Sequence, residues 1–243
     1  MRELREKVAL VTGASSGIGA AIAVELAAQG AHLALVGRDQ ERLNAVAARA
    51  TAHGVSVKIH IADLDREEDL NSLKAAVDDD FGRLDILVHS AGVFEHGLVE
   101  DMPAESLLRQ FRVNTLAPYA LTHLFLPVIR RRRGQIVFVN SRAGLVAPPT
   151  LTQYAATKHA LRAIADGLRE EVSRDGVRVL SVYPGKTATP LQQRIQEAAG
   201  NKYDPSLFPQ PEDVARLVVS ALTLPANAEM TDVIVRPQQE PYQ

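Results

Sequence analysis

Apolar residues along this chain keep two spacings in alternation. Short runs dominated by Val, Ile, Leu and Ala predict strands at 8–11, 32–36, 56–61, 86–89, 135–139 and 178–183, with a last one at 231–235. Between them the apolar positions fall three and four apart, which predicts helices from about Gly17, over 40–53, over 67–81 and from near Thr152. Strand, helix and strand in turn make a parallel sheet, because a crossover helix returns the chain to the edge from which it started. About seven strands, buried on both faces, follow in a single doubly wound α/β domain spanning 1–243 with helices on both faces. No Pro/Gly/Ser linker, repeat or low-complexity tract divides it. The connection over 184–211 carries five of the 13 prolines, and so long a segment inside a compact domain is expected to be functional.

Two apolar stretches require weighing as membrane segments. The first, 8–28, is interrupted by Gly13, Gly17 and Gly19 and contains Glu25, so it reads as a strand, a turn and a buried helix. The second, 114–129, is too short for a span and carries His123 and two prolines; it reads as a core or interface helix. The arginine run 130–133 after it reads as a solvated helix C-terminus, where cations complement the macrodipole. With a net charge of −2, no sequence-wide basic field points to nucleic acid. The chain has no cysteine, which excludes disulfides, thiolate metal sites and cysteine nucleophiles and agrees with a reducing, cytoplasmic setting.

Candidate chemistry begins after the first strand, where Thr12-Gly13-Ala14-Ser15-Ser16-Gly17-Ile18-Gly19 opens the first helix. Glycines let a backbone turn approach a pyrophosphate, and free amides at a helix N-terminus stabilise the anion. That context is the one a Rossmann-type dinucleotide turn needs, although the spacing here is Gly-x-x-x-Gly-x-Gly. The second predicted strand runs into Gly37-Arg38-Asp39, where an acid would bind the ribose 2′-hydroxyl of NAD and an arginine the 2′-phosphate of NADP. Arg38 therefore favours NADP(H) over NAD(H), against the alternative of a solvated charge at a helix start; Asp39 reads as a helix cap with some access to the ribose. Asp63-Leu64 closes the third strand, with Asp63 either accepting from an adenine amino group or capping a helix. Tyr154 and Lys158 lie one turn apart on one helix face, and the ammonium is expected to lower the phenol pKa from about 10 and suit it to acid-base work near neutral pH. Ser141 ends a predicted parallel strand, the edge at which open α/β sheets bind ligands.

Taken in order, these motifs resemble the short-chain dehydrogenase/reductase family over nearly the whole chain. Thr12 to Gly19 is similar to its cofactor turn, and Tyr154-x-x-x-Lys158 to its active-site pair. The resemblance implies a catalytic tetrad of Asn114, Ser141, Tyr154 and Lys158. In it Tyr154 exchanges the proton, Ser141 holds the substrate oxygen, Lys158 lowers the tyrosine pKa and binds the nicotinamide ribose, and Asn114 supports a proton-relay water. The hydride would pass between C4 of the nicotinamide and the substrate carbon. Cofactor contacts are implied for Gly13, Ser15, Ser16, Gly17, Ile18 and Gly19, for Asp63 and Leu64, and for Ser90, Ala91 and Gly92. Pro184 and Gly185, with Thr187 and Thr189, resemble the segment beside the nicotinamide. One departure is plain: His89-Ser90-Ala91-Gly92 stands where the family commonly has Asn-Asn-Ala-Gly, and His89 reads as a satisfied strand-end histidine, with no partner spacing for a metal.

The expected activity is an NADP(H)-dependent oxidoreductase of a small-molecule carbonyl or secondary alcohol, with 186–210 as the substrate-binding loop region. Its loops are rich in Leu, Pro and Ala, which suggests an apolar pocket. A same-fold epimerase or dehydratase and a non-catalytic NADP-binding protein are the alternatives; Ser141, Tyr154 and Lys158 together weigh against the last. No nucleic-acid or membrane partner is expected, and the resemblance implies a homodimer or homotetramer. The tail at 238–243 reads as loose.

Overall fold

A computed structural model describes residues 3–239. Seven strands make one parallel sheet: β1 (Val8–Thr12), β2 (His32–Gly37), β3 (Val57–Ile61), β4 (Ile86–His89), β5 (Gln135–Val139), β6 (Arg178–Pro184) and β7 (Asp232–Val235). Their order is β3-β2-β1-β4-β5-β6-β7, so the winding reverses between β1 and β4 and leaves a crevice there at the carboxyl edge. The crossover helices are α1 (Gly17–Ala28), α2 (Gln40–Thr51), α3 (Glu67–Phe81), α4 (Ala104–Phe111), α5 (Ala117–Arg132), α6 (Thr152–Val172), α7 (Pro190–Ala198) and α8 (Pro211–Leu222).

Strand alternation divides the core in two. Ala9, Val11, Leu33 and Leu35 face the layer of α1, α2 and α8, while Val8, Leu10, Ala34 and Val36 face that of α3, α5 and α6. Burial on both faces holds for the central strands only. Edge strands β3 and β7 keep partly exposed positions, with Ile61 at 52% and Ile234 at 61%, because each has a neighbour on one side alone.

The connection at 184–211 is more ordered than its prolines suggest. Pro190 and Pro211 each open a helix, and Pro205 opens a 3₁₀ turn; in the first turn the missing N–H of proline costs nothing and its fixed φ helps. Residues 114–129 are likewise not one α-helix, since Arg112–Leu116 form a π-turn that holds Asn114 before α5 begins. Helices α4, α7 and α8 are additions to the elements expected from spacing.

At the amino edge of the sheet, Asp85 is almost fully buried (2% exposed) just before β4. Its carboxylate accepts two bonds from the Arg83 guanidinium at 2.9 Å, one from Arg132 at 3.2 Å and one from the Val8 amide at 3.0 Å. Lys7 lies 3.6 Å away. The arginine run is thus not merely solvated: Arg132 reaches Asp85 and Arg130 pairs with Asp175 at 2.8 Å. Those partners hold the Asp85 carboxyl below the usual carboxylate range against the opposing effect of burial. No helix among the described residues is long and apolar enough to cross a membrane. Most of the tail at 238–243 lies outside the described residues.

Candidate active site

At the crevice the chain leaves β1 through Gly13, whose φ of +66° suits glycine. A Cβ there would lie 2.7 Å from Ala91 Cα, and one at Gly19 would lie 2.4 Å from the Gly13 carbonyl oxygen, so both positions are closed to any side chain. Thr12 latches the two halves of the sheet together. Its buried hydroxyl accepts from the amides of Ser90 (3.1 Å) and Ala91 (3.2 Å) and donates to the Val88 carbonyl (3.3 Å).

Helix α1 starts uncapped: Ser16 makes no side-chain bond to it, and its first turn has no acidic residue. By contrast Asp39 caps α2 through the Arg42 amide, and Thr189 caps α7 through that of Gln192. The free amides of α1 and its dipole are left for an external anion. The N-terminus of α7 covers this turn, with the Thr189 methyl 3.2 Å from where a Gly17 Cβ would stand.

A groove of about 910 Å³ runs along the crevice from Arg38, Asp39 and Arg42 past the glycine turn to Tyr154 and Lys158. Asp39 pairs with Arg42 at 3.1 Å, whereas Arg38 has no ion-pair partner among the described residues. Asp63 and Leu64 border the groove beyond the end of β3. Asp63 caps no helix; its carboxylate accepts from the Asp65 amide.

At the other end, Tyr154 and Lys158 project from the first turns of α6. Lys158 Nζ lies 5.8 Å from the Tyr154 ring centroid and donates to the Val139 carbonyl at 3.2 Å. Ser141 follows β5 and shares a hydrogen bond with the Tyr154 phenol, while its oxygen also accepts from the Ala143 amide at 3.1 Å. Asn140 sets that serine: its Oδ1 accepts from the Ser141 amide and its Nδ2 donates to the Lys158 carbonyl. Asn114 is fully buried behind these groups. Its Oδ1 accepts from the Val93 amide (2.8 Å), and its Nδ2 donates to the Val93 carbonyl (2.9 Å) and to Thr157 Oγ1 (3.2 Å).

One expectation about this pair is overturned. Loss of hydration pushes the Tyr154 phenol up to about 12, against a smaller lowering by Ser141, and pushes the Lys158 ammonium down to about 8. Charge alone argued for a lowered tyrosine pKa, but burial of the phenol acts in the other direction and is the larger influence. His89 is satisfied at one nitrogen only, with Nε2 2.9 Å from Thr122 Oγ1 and Nδ1 unpartnered; burial holds its pKa near 3, so it stays neutral.

Gly13 to Gly19, Arg38, Asp63, Leu64, Ser90 to Gly92, Tyr154, Lys158 and Thr189 thus meet along one groove, apart from Ala14. Asn114, Ser141, Pro184, Gly185 and Thr187 do not line it; Asn114 supports it from behind and Ser141 reaches it through Tyr154. Sequence reasoning missed Asn140 and the groove residues Phe94, Glu95 and Arg109, whereas the groove residue Arg194 falls in the expected loop region 186–210. Asn140 adjoins Ser141 and could have been suspected, whereas the other missed residues carry no local signal.

The family model of the short chain dehydrogenases matches residues 7–200. An uncharacterized oxidoreductase of Staphylococcus saprophyticus is 36% identical over 239 residues, covering 98% of this chain and all of its own. Among solved structures, an alcohol dehydrogenase of the archaeon Thermococcus sibiricus complexed with 5-hydroxy-NADP superposes with a TM-score of 0.87 at 29% identity, over 98% of this chain and 99% of its own. A metagenomic short-chain oxidoreductase in complex with NADP gives 0.84 at 31% identity, over 98% and 100%.

Proposed function

The chain belongs to the short chain dehydrogenase family, and we propose that it is an NADP(H)-dependent oxidoreductase of a carbonyl or secondary alcohol. One observation carries this reading: a single groove joins Arg38, which has no ion-pair partner among the described residues, an anion-ready glycine turn and the pair Tyr154 and Lys158, with Ser141 hydrogen-bonded to Tyr154 behind it. The glycine turn lines the groove and leads into the uncapped start of α1, so the residues fit the pyrophosphate of a dinucleotide. Both solved relatives named above were obtained with NADP or a derivative, which supports the same cofactor here.

When bound, the nicotinamide would supply or take the hydride. This chain's own residues handle the proton. In reduction the Ser141 hydroxyl donates to the substrate oxygen and orients it, and the Tyr154 phenol gives its proton to that oxygen as negative charge develops there. Lys158 stabilises the resulting tyrosinate and would bind the ribose when the cofactor is present. Asn114 holds the Val93 backbone behind the site, and its π-turn is the kind of helix irregularity frequent at functional positions. Residues 186–210, with α7 among them, are proposed to close over the substrate.

A panel of ketones, aldehydes and alcohols with both cofactors tests this. Stoichiometric NADPH oxidation with a carbonyl is expected, together with tighter binding of NADPH than of NADH that Arg38→Asp reverses. No turnover on any member would overturn the redox reading, and equal binding of the two cofactors would overturn the role of Arg38. A cytoplasmic setting suits a chain without cysteine. Assembly into a dimer or tetramer through α4, α5 and α6 is supported by exposed Leu108, Leu116 and Tyr119, and light scattering showing only a 26.3 kDa species would contradict it.

A further inference from the structure

Residues 91–103 run from β4 to α4 without helix or strand, yet the segment is fastened at closely spaced points. Asn114 holds both the amide and the carbonyl of Val93. Two residues on, the Glu95 amide donates to Gln110 Oε1 at 3.2 Å; Gln110 Nε2 donates to Gln153 Oε1 at 3.2 Å; and Gln153 Nε2 donates to the Pro103 carbonyl at 3.0 Å. The direction of this amide chain is fixed at its ends, because a backbone N–H can only donate and a backbone carbonyl only accept. The Glu95 carboxylate is engaged as well, accepting from Ser106 Oγ at 2.7 Å and from Arg109 at 2.9 Å. Beyond it the Gly97 amide donates to the Thr150 carbonyl. Gln110 is fully buried, and Gln153 directly precedes Tyr154 on α6.

Between the fixed residues Val93 and Glu95 stands Phe94. Its ring meets that of Tyr154 edge to face, with centroids 4.9 Å apart and planes at 74°, and it lines the groove at the catalytic end. A mere loop anchor would require neither the aromatic contact with Tyr154 nor an amide chain that passes through the residue next to it. On the reading of the site as a carbonyl reductase, we propose that Phe94 is the specificity-determining wall beside the reacting carbonyl, and that Gln110 and Gln153 are positioning residues that hold it against Tyr154.

The substrate class follows. A rigid apolar wall admits a compact apolar substituent on that side of the carbonyl and rejects a bulky one, because a backbone pinned at 93 and 95 cannot yield. The Glu95 carboxylate is paired with the Arg109 guanidinium in the groove wall, so no net negative charge meets the substrate there, and uncharged ketones and aldehydes fit better than cationic ones.

The test uses the full-length protein with NADPH and a series of alkyl phenyl ketones from methyl to butyl. Phe94→Ala is expected to raise kcat/KM for the butyl ketone relative to the methyl ketone by about tenfold or more, the scale on which apolar pockets discriminate methylenes. Gln153→Leu should move the same ratio in the same direction, mainly through KM. It should add little in the Phe94→Ala background, since both act through one ring. A second readout needs no substrate. The chain has five tyrosines and no tryptophan, so the difference in tyrosinate ultraviolet absorbance between the parent and Tyr154→Phe isolates Tyr154. Phe94→Ala and Gln153→Leu should each let Tyr154 ionise at lower pH, because water then reaches the phenol. A structural role alone would lower thermal stability without that shift.

If Phe94→Ala leaves the ketone ratio within about twofold of the parent, a change too small for a pocket wall, the specificity role fails. If Gln153→Leu changes melting temperature but neither the ratio nor the ionisation, the positioning role fails. Should the parent turn over no carbonyl at all, the function reading fails and the tyrosinate arm alone decides the positioning role. Gln110→Leu is kept as a supplementary variant, because Gln110 is the most buried member of the chain and its loss is the most apt to impair folding.

Discussion

Asp85 and Lys158 are both buried ionisable groups beside the central strands, at opposite edges of one sheet, and their surroundings could hardly differ more. Asp85 at the amino edge has two arginines, a lysine and a backbone amide around its carboxylate. Lys158 at the carboxyl edge has one carbonyl bonded to its ammonium and a phenol ring nearby. The pKa directions record the contrast. Partners outweigh burial for Asp85, which is held charged, and burial outweighs partners for Lys158, which is pushed toward neutrality. Charge is neutralised by several partners at the amino edge and is under-solvated beside the groove.

The strongest way to break this contrast is at the carboxyl edge. Tyr154→Phe should lower turnover on the order of 10²–10⁴-fold, the range typical of lost acid-base catalysis, while NADPH binding and melting temperature stay near the parent values. Retention of most activity on a confirmed substrate would remove Tyr154 from the proton path. At the amino edge the opposite pattern is expected. Asp85→Ala leaves two arginines without their buried partner and should cost about 3–5 kcal/mol of stability in denaturant unfolding, with little change in kcat of the molecules that remain folded. Because the folded-state pKa of Asp85 is depressed, its contribution is present above the unfolded value near 3.8 and is lost as pH falls through the lower folded value. Acid unfolding below about pH 4 should therefore flatten in the variant.

Lys158→Met sharpens the comparison with a smaller effect of the opposite sign. A lysine near 8 when folded and 10.5 when unfolded opposes folding fully below pH 8, and the penalty fades as pH rises toward 10.5. The variant should be inactive and bind NADPH weakly, yet its ligand-free form should be more stable at neutral pH by up to about 3 kcal/mol. That gain should shrink in melting curves recorded from pH 8 upward, and a less stable variant at pH 7 would refute the account. The smallest effect is kinetic. Since tyrosinate is the base in alcohol oxidation and burial raises the Tyr154 phenol, oxidation by the parent should increase as pH rises above neutral. A flat profile there would assign the base to another group.

Much of this was legible in the sequence, for reasons that differ by residue. The strand runs, the glycine turn and the spacing of Tyr154 and Lys158 are local patterns fixed by backbone periodicity. The start of α7 was hidden because proline marks a loop and a helix N-terminus alike, and the capping Thr189 before Pro190 is the discriminating sign. Dehydration at Tyr154 was invisible for another reason: the charge of Lys158 can be read from its letter, but the water excluded around it depends on what packs there. The bonds of Asn114 to Val93 and of Gln110 to Gln153 span 21 and 43 positions, and no window along the chain contains them.

Direction in the sheet carries a practical corollary. All seven strands point the same way, so the chain enters β1 at the amino edge, beside Asp85, and leaves β7 at the carboxyl edge, where Arg236 packs against Gly185. An anchor placed ahead of β1 would hang the molecule with its groove facing outward, open to solution. The same anchor placed after β7 would leave from the carboxyl edge, the edge along which the groove runs. For immobilising or fusing this protein, the two ends are therefore not equivalent handles.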